Sequence, residues 1–260
     1  MWFCFSGCRR GGDVVELVRL LDQLSWGETA IALSRLTDGI REPSPPVHVV
    51  EPPLRPFRPF TRQLPLDSNA PLLAEKGIDP ATAAAFGAGA WRRPGFLEGC
   101  VAVRLHDPGG QPLGYAGRRL SSRDAVRLGK WKFPPRLPKS RILFNHHRAA
   151  RRSSQTLAIV ECPWGVMRLA QLGLPAVALL GLHLSTAQRR LLERWPSIVL
   201  LLDGDDAGRR AVAPLHDELQ ADHMVRVASL PDGLDPDDLH DSELLRRVIP
   251  PWLSAQGLRQ

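Results

Sequence analysis

Four short apolar runs, "TLAIVE", "AVALLG", "IVLLLD" and "MVRVASL", follow one another after Gln155, separated by stretches with helical spacing. Runs without polar alternation predict strands buried on both faces, and strands alternating with helices predict a parallel sheet covered on both sides. Ser185 followed by Gln188 predicts a capping box opening the helix "TAQRRLLERW". Upstream the pattern is different. Val14, Val15, Leu17, Val18 and Leu21 have helical spacing, and a break at Gly27 followed by a second short helix predicts an N-terminal helical hairpin. "NAPLLAEKGIDPATAAAFGAGAW" reads as two short helices, and "GCVAVRLHDPGGQPLGYAGRRL" as a hairpin turning at "DPGGQ", which together predict a small α+β subdomain. Between these parts prolines recur densely, which prevents regular structure and marks a linker. The resulting division is 1–40, a helical N-terminus; 41–65, the Pro-rich linker; 66–155, the α+β subdomain; 156–250, the α/β domain; and 251–260, a tail.

Charge sharpens this division. The chain has 260 residues, 43% of them hydrophobic, and a formal net charge of +7. Up to Gln155 there are 24 Lys and Arg against 13 Asp and Glu, whereas from Thr156 onward there are 10 against 14. A basic part beside an acidic part suits a protein that holds a polyanion with one and cations with the other. No apolar run approaches the length of a membrane span and the first residues lack a signal-peptide core, so a cytoplasmic location with no membrane partner is the default. The four cysteines form no secreted disulfide pattern.

In an open α/β sheet the ligand crevice lies beyond the carboxyl ends of the strands. Those ends carry Glu161, then Asp203 and Asp205 in "DGDDAGRRA", then Asp235 and Asp237 in "PDGLDPDDL". Carboxylates distant in sequence but converging on one edge fit a hard divalent cation such as Mg²⁺, or Mn²⁺, shared with a substrate phosphate. Gly204 is expected to let the chain turn so that both neighbouring aspartates face the metal. The competing expectation is that Asp205 and Asp206 simply cap a helix N-terminus.

These segments, "IVECPWGVMRLAQLG", "VALLGLHLSTAQRRLLERWPSIVLLLDGDDAGRRA" and "LPDGLDPDDL", closely resemble the TOPRIM domain of DnaG-type bacterial primases. The resemblance implies a TOPRIM-type α/β fold with catalytic residues Glu161, Asp203 and Asp205, and Mg²⁺ ligands Asp203, Asp205, Asp235 and Asp237. Upstream, "GCVAVRLHDPGGQPLGYAGRRL" and "KWKFPPRLPKSRILFN" resemble the basic subdomain of the same family, which implies nucleic-acid contacts at Arg118, Lys130, Lys132 and Lys139. Trp131 and Phe133, interleaved among the lysines, are suited to stacking on bases. The implied activity is DNA primase, a nucleotidyltransferase that makes RNA primers on single-stranded DNA from ribonucleoside triphosphates, for example for a plasmid or other mobile element, with a replicative helicase as a further partner. A TOPRIM nuclease and a non-catalytic DNA-binding replication or mobilisation factor are the alternatives.

Two departures accompany the resemblance. "WFCFSGCRRGGDVVELV" is similar to the second half of the family's zinc ribbon, but tetrahedral Zn²⁺ needs four ligands and only Cys4 and Cys8 are present. The site is therefore incomplete, the first pair is expected before Met1, and His48 is the remaining candidate ligand. The second departure lies four residues beyond Glu161, where the family carries an acidic residue and this chain has Gly165, so one metal ligand is expected to be missing. Cys162 suits a small buried side chain rather than a nucleophile.

Overall fold

The computed structural model describes residues 2–3, 11–37, 56–181, 183–228 and 230–238. It divides into two compact units, residues 1–55 and 56–260. In the first, β1 (Trp2–Phe3) pairs antiparallel with β2 (Gly11–Gly12), followed by α1 (Val14–Leu21) and α2 (Trp26–Thr37). Asp13 caps α1 by accepting a hydrogen bond from Glu16 N, and Arg19 closes back onto Glu16 at 2.8 Å. The helical hairpin is present, but its break lies at Asp22–Ser25 and not at Gly27. Ser25 and Glu28 exchange hydrogen bonds that start α2 at Trp26, which places Gly27 inside the helix. Cys4, Cys8 and His48 lie outside the described residues.

The second unit begins with α3 (Pro71–Glu75) and α4 (Pro80–Phe86), then β3 (Ala88–Ala90), β4 (Cys100–His106) and β5 (Pro112–Arg119), α5 (Ser122–Leu128), β6 (Trp131–Lys132) and α6 (His146–Ala149). Strands β3 to β6 form an antiparallel sheet in sequence order. The β4–β5 hairpin turns where "DPGGQ" predicts, with Asp107 Oδ1 accepting from Gln111 N at 2.7 Å. The α/β part follows with β7 (Thr156–Val160), α7 (Pro163–Gln171), β8 (Ala176–Ala178), α8 (Thr186–Leu192), β9 (Ser197–Leu200), α9 (Asp206–Leu219) and β10 (Met224–Val227). Its four strands are all parallel, in the order β10-β9-β7-β8.

The apolar runs behave as their pattern dictates. All five residues of β7 are buried, Ala158 and Val160 on one face and Leu157 and Ile159 on the other. The first face packs on α7 through Val166, Met167 and Leu169 in a core continuous with Val101, Val103 and Ala116 of the antiparallel sheet. The second packs on Leu192 of α8, Leu215 and Leu219 of α9, and Trp195. One core therefore spans the two sheets, and burial at roughly 25 cal/mol per Å² holds the basic subdomain against the acidic one. The Ser185–Gln188 capping box is present, and the Gln188 amide also donates to Lys139 O and Ile142 O, pinning the intervening loop. No described helix is long and apolar enough to cross a membrane.

Candidate active site

Because β7 and β9 are parallel neighbours, Glu161 after β7 and Asp203 after β9 emerge side by side. Leu201 and Leu202 continue the apolar run past the last paired residue, and Asp203 N donates to Glu161 Oε1 at 3.3 Å. Asp205 then caps α9, accepting from Gly208 N at 2.8 Å, so the capping expectation holds for this residue while its side chain also lines the crevice. Asp206 faces solvent and pairs with Arg209 at 2.7 Å. Thus the three carboxylates of "DGDD" serve three purposes, and only Asp203 and Asp205 face the crevice.

Two glycines permit this crowding. A Cβ at Gly208 would lie 2.1 Å from Asp203 O and 2.8 Å from Glu161 Oε1, so any side chain there would displace both acids. Gly204 has a different role from the expected turn. Its N–H donates to Leu234 O at 2.8 Å and its carbonyl accepts from Gly233 N at 3.1 Å, and a Cβ would stand 2.5 Å from Pro231 O. The missing side chain lets the 231–234 loop dock, which carries Asp235 and Asp237 to the site.

The electrostatics are those of crowded, partly buried carboxylates. Burial, then Glu161, Asp235, Asp237 and Asp205 in turn, push Asp203 up to about 8, and its Oδ1 is buried without a hydrogen-bond partner. Burial also raises Glu161, opposed by the Asp203 N–H and by Lys130 and reinforced by Asp205 and Asp235. Asp235 is raised by burial and then by Asp237. Asp237 is 1% exposed, and burial raises it against the opposing pull of Lys76. Among the described residues no three His, Cys, Asp or Glu side chains stand close enough to chelate an ion between them. Even so, the orphaned Asp203 oxygen and the mutually repelling acids fit a hard cation entering beside Asp203.

The basic subdomain forms the other wall of a cleft of about 330 Å³, to which Arg118, Lys130 and Trp131 contribute opposite Glu161, Asp203 and Asp205. Arg118 at the end of β5 donates to Lys130 O at 3.4 Å, and Arg119 ties down Gly129 O at 2.7 Å and Trp131 O at 3.1 Å, so β6 is fixed by its neighbours' guanidinium groups. Trp131 packs against Trp164 of α7 with ring centroids 5.0 Å apart and planes tilted by 41°, joining the two walls. The four basic candidates are not one surface. Lys139 lies 4.7 Å over the ring of Phe133, which itself lines the cleft. Lys132 pairs in register with Gly117, opposite in the pleat to Trp131, and its ammonium sits 4.5 Å over Phe96 away from the cleft.

Three features escaped the sequence pattern. Lys76, at the end of α3, meets Asp237 at 2.5 Å, Asp235 at 3.9 Å and Asp238 at 4.0 Å; the surrounding carboxylates outweigh burial and raise its pKa. Trp164 is a second aromatic wall of the cleft. A Cβ at Gly165 would lie 3.0 Å from Cβ of Pro236, the residue between Asp235 and Asp237, so packing against the acidic loop closes the position to a further ligand. The Cys162 thiol is pushed up to about 12, first by burial and then by Asp237, consistent with a structural role at the start of α7.

The Toprim-like family pattern matches residues 158–240. The DNA primase of Geobacillus stearothermophilus is 36% identical over 151 residues, which cover 56% of this chain and 25% of that protein. These matches support a place for the chain among DnaG-type primases. The crystal structure of the zinc-binding and RNA polymerase domains of Aquifex aeolicus primase covers 95% of this chain and 72% of its own, with 22% identity and a TM-score of 0.57. A DnaG primase catalytic domain bound to single-stranded DNA covers 75% of each chain, with 23% identity and a TM-score of 0.55. The parallel α/β sheet expected from the strand pattern, and the TOPRIM type implied by the resemblance, are therefore the fold of solved primases, while the chain spans about a quarter of the length of the curated primases it matches first.

Proposed function

We propose that this chain is the catalytic core of a DNA primase, synthesising short RNA primers on single-stranded DNA from ribonucleoside triphosphates. The observation that carries this reading is the single cleft in which Glu161, Asp203 and Asp205 face Arg118, Lys130 and Trp131. Basic side chains opposite a carboxylate cluster suit a polyanionic template and a triphosphate held together. A divalent ion beside Asp203 and Asp205, with Glu161 and Asp235 near it, would neutralise the charge of the reacting phosphates.

The chain's own residues supply positioning and proton handling. Arg118 and Lys130 bind phosphate oxygens, and the Trp131 ring, braced by Trp164, offers a stacking face to a base. Glu161 Oε1 is engaged by Asp203 N–H, which leaves Oε2 to take the proton of the attacking 3′-hydroxyl, a role suited to a carboxylate whose pKa is raised. Incubation of the protein with a labelled single-stranded DNA, ribonucleoside triphosphates and Mg²⁺ tests the reading. Alkali-labile products that need all the nucleotides support it. Shortening of the DNA without nucleotides would indicate a nuclease, and an unchanged but bound template a non-catalytic factor.

A further inference from the structure

We propose that Lys76 is a resident counter-cation of the acidic loop and takes, at Asp237, the place of a metal ion, so that divalent-ion binding is confined to the Glu161, Asp203 and Asp205 side of the cleft. The inference deepens the primase reading, because it rests on that cleft taking a divalent ion. One ammonium group has three donors, and here three carboxylates stand around it, at 2.5 Å for Asp237, 3.9 Å for Asp235 and 4.0 Å for Asp238. Asp237 is 1% exposed and its carboxylate oxygens have no hydrogen-bond partner among the described residues, so the ion pair with Lys76, and not water, offsets its charge. A Mg²⁺ or Mn²⁺ ion on the same carboxylate oxygen would stand within about 5 Å of the ammonium, where two positive charges out of bulk water repel strongly.

The packing makes the arrangement rigid. Gly165 has no side chain where Pro236 presses on α7, and the Asp235 N–H donates to Asp238 Oδ2 at 2.8 Å. The loop therefore cannot turn Asp237 toward Asp203 without lifting Pro236 off the helix. Lys76 comes from α3, remote in sequence, so the charge that organises this loop belongs to the basic subdomain. Lys76 lines the same cleft as Arg118 and Lys130, but its ammonium is taken up by the acidic loop, so it acts as a positioning residue through that loop.

Two measurements on the whole chain test this. In Mn²⁺ titrations followed by electron paramagnetic resonance, the parent and Asp237→Asn should bind the same number of ions, whereas Lys76→Met should gain one, and Lys76→Arg should match the parent. In melts without metal, Lys76→Met should lose at least 5 °C, and adding Asp237→Asn to it should restore most of that loss, because the stranded buried charge is then gone. A drop in bound Mn²⁺ for Asp237→Asn, an unchanged ion count for a folded Lys76→Met, or a double variant no more stable than Lys76→Met would overturn the proposal. If Lys76→Met does not fold, Asp237→Asn and Lys76→Arg still decide it. A parent that binds no Mn²⁺ overturns the metal reading of the cleft and, with it, Lys76 as a substitute for an ion, while the melts separately report whether Lys76 and Asp237 hold the loop.

Discussion

Replacing Asp203 with asparagine removes the charge that the fold tolerates least, and the effect on stability has a sign that depends on pH. The rise of Asp203 from the usual 3.8 to about 8 comes first from burial and then from Glu161, Asp235, Asp237 and Asp205. In the unfolded chain the group ionises near pH 4. The folded state thus holds a proton that the unfolded state has released, and the associated stability is complete below about pH 4 and lost as pH rises through about 8. Four pH units correspond to a ceiling of ~6 kcal/mol at ~1.4 kcal/mol each. Asp203 is only partly buried, and solvent screening brings the cost to about 2–3 kcal/mol. In a chain of this size that is a melting shift of about 5–10 °C. Without divalent metal, Asp203→Asn should therefore melt with the parent at or below about pH 4 and about 5–10 °C above it at pH 9, with a flatter dependence between. Melts in a chelating buffer at half-unit steps measure this. An asparagine variant that melts at or below the parent at pH 9, with the same pH slope, would show that Asp203 is not a strained carboxylate.

The remaining predictions follow from the same cleft. Gly208→Ala forces a methyl group to within 2.1 Å of Asp203 O and should cost about 3 kcal/mol or more, read as a fall in denaturation midpoint; a change under about 0.5 kcal/mol would contradict the close approach. Gly165→Asp should destabilise the chain by a similar amount, with no recovery on adding Mg²⁺, because the new side chain meets Pro236 in a position closed to a further ligand; recovery by Mg²⁺ would place residue 165 at the metal. Arg118→Ala and Lys130→Ala should each flatten the salt dependence of single-strand binding by up to roughly 0.7 in the log–log slope, while Lys132→Ala, seated over Phe96, should alter it less; equal effects would mean that the strand also crosses the outer face of the sheet.

What the sequence discloses about this site, and what it withholds, divides along the range of the interactions. The strands were legible because short unbroken apolar runs such as "IVLLL", alternating with helical stretches, suit a parallel sheet covered on both faces, and parallel pairing then brought Glu161 beside Asp203. The carboxylates of "DGDD" were also legible as a group, but not their separate duties, since capping by Asp205 and cleft lining draw on the same residue type. Gly204 and Gly165 were misread for a common reason: each is small because a distant loop presses on it, and Pro231 and Pro236 cannot be foreseen from the glycine's own neighbourhood. Lys76 was hidden altogether, as nothing in "AEKGID" announces a partner in "DPDD". Lys132 could have been separated from Trp131 by the two-residue period of a strand, had the short β6 been recognised.

The account rests on one cleft joining nucleotides on a template, and formation of the first phosphodiester bond tests it most directly. With a defined single-stranded DNA, an α-labelled ribonucleoside triphosphate and Mg²⁺, the parent chain should yield a labelled dinucleotide, and Asp203→Asn and Glu161→Gln should yield none while binding the template as the parent does. A dinucleotide formed equally well by the folded Asp203→Asn and Glu161→Gln variants would place the chemistry outside this cleft and contradict the account.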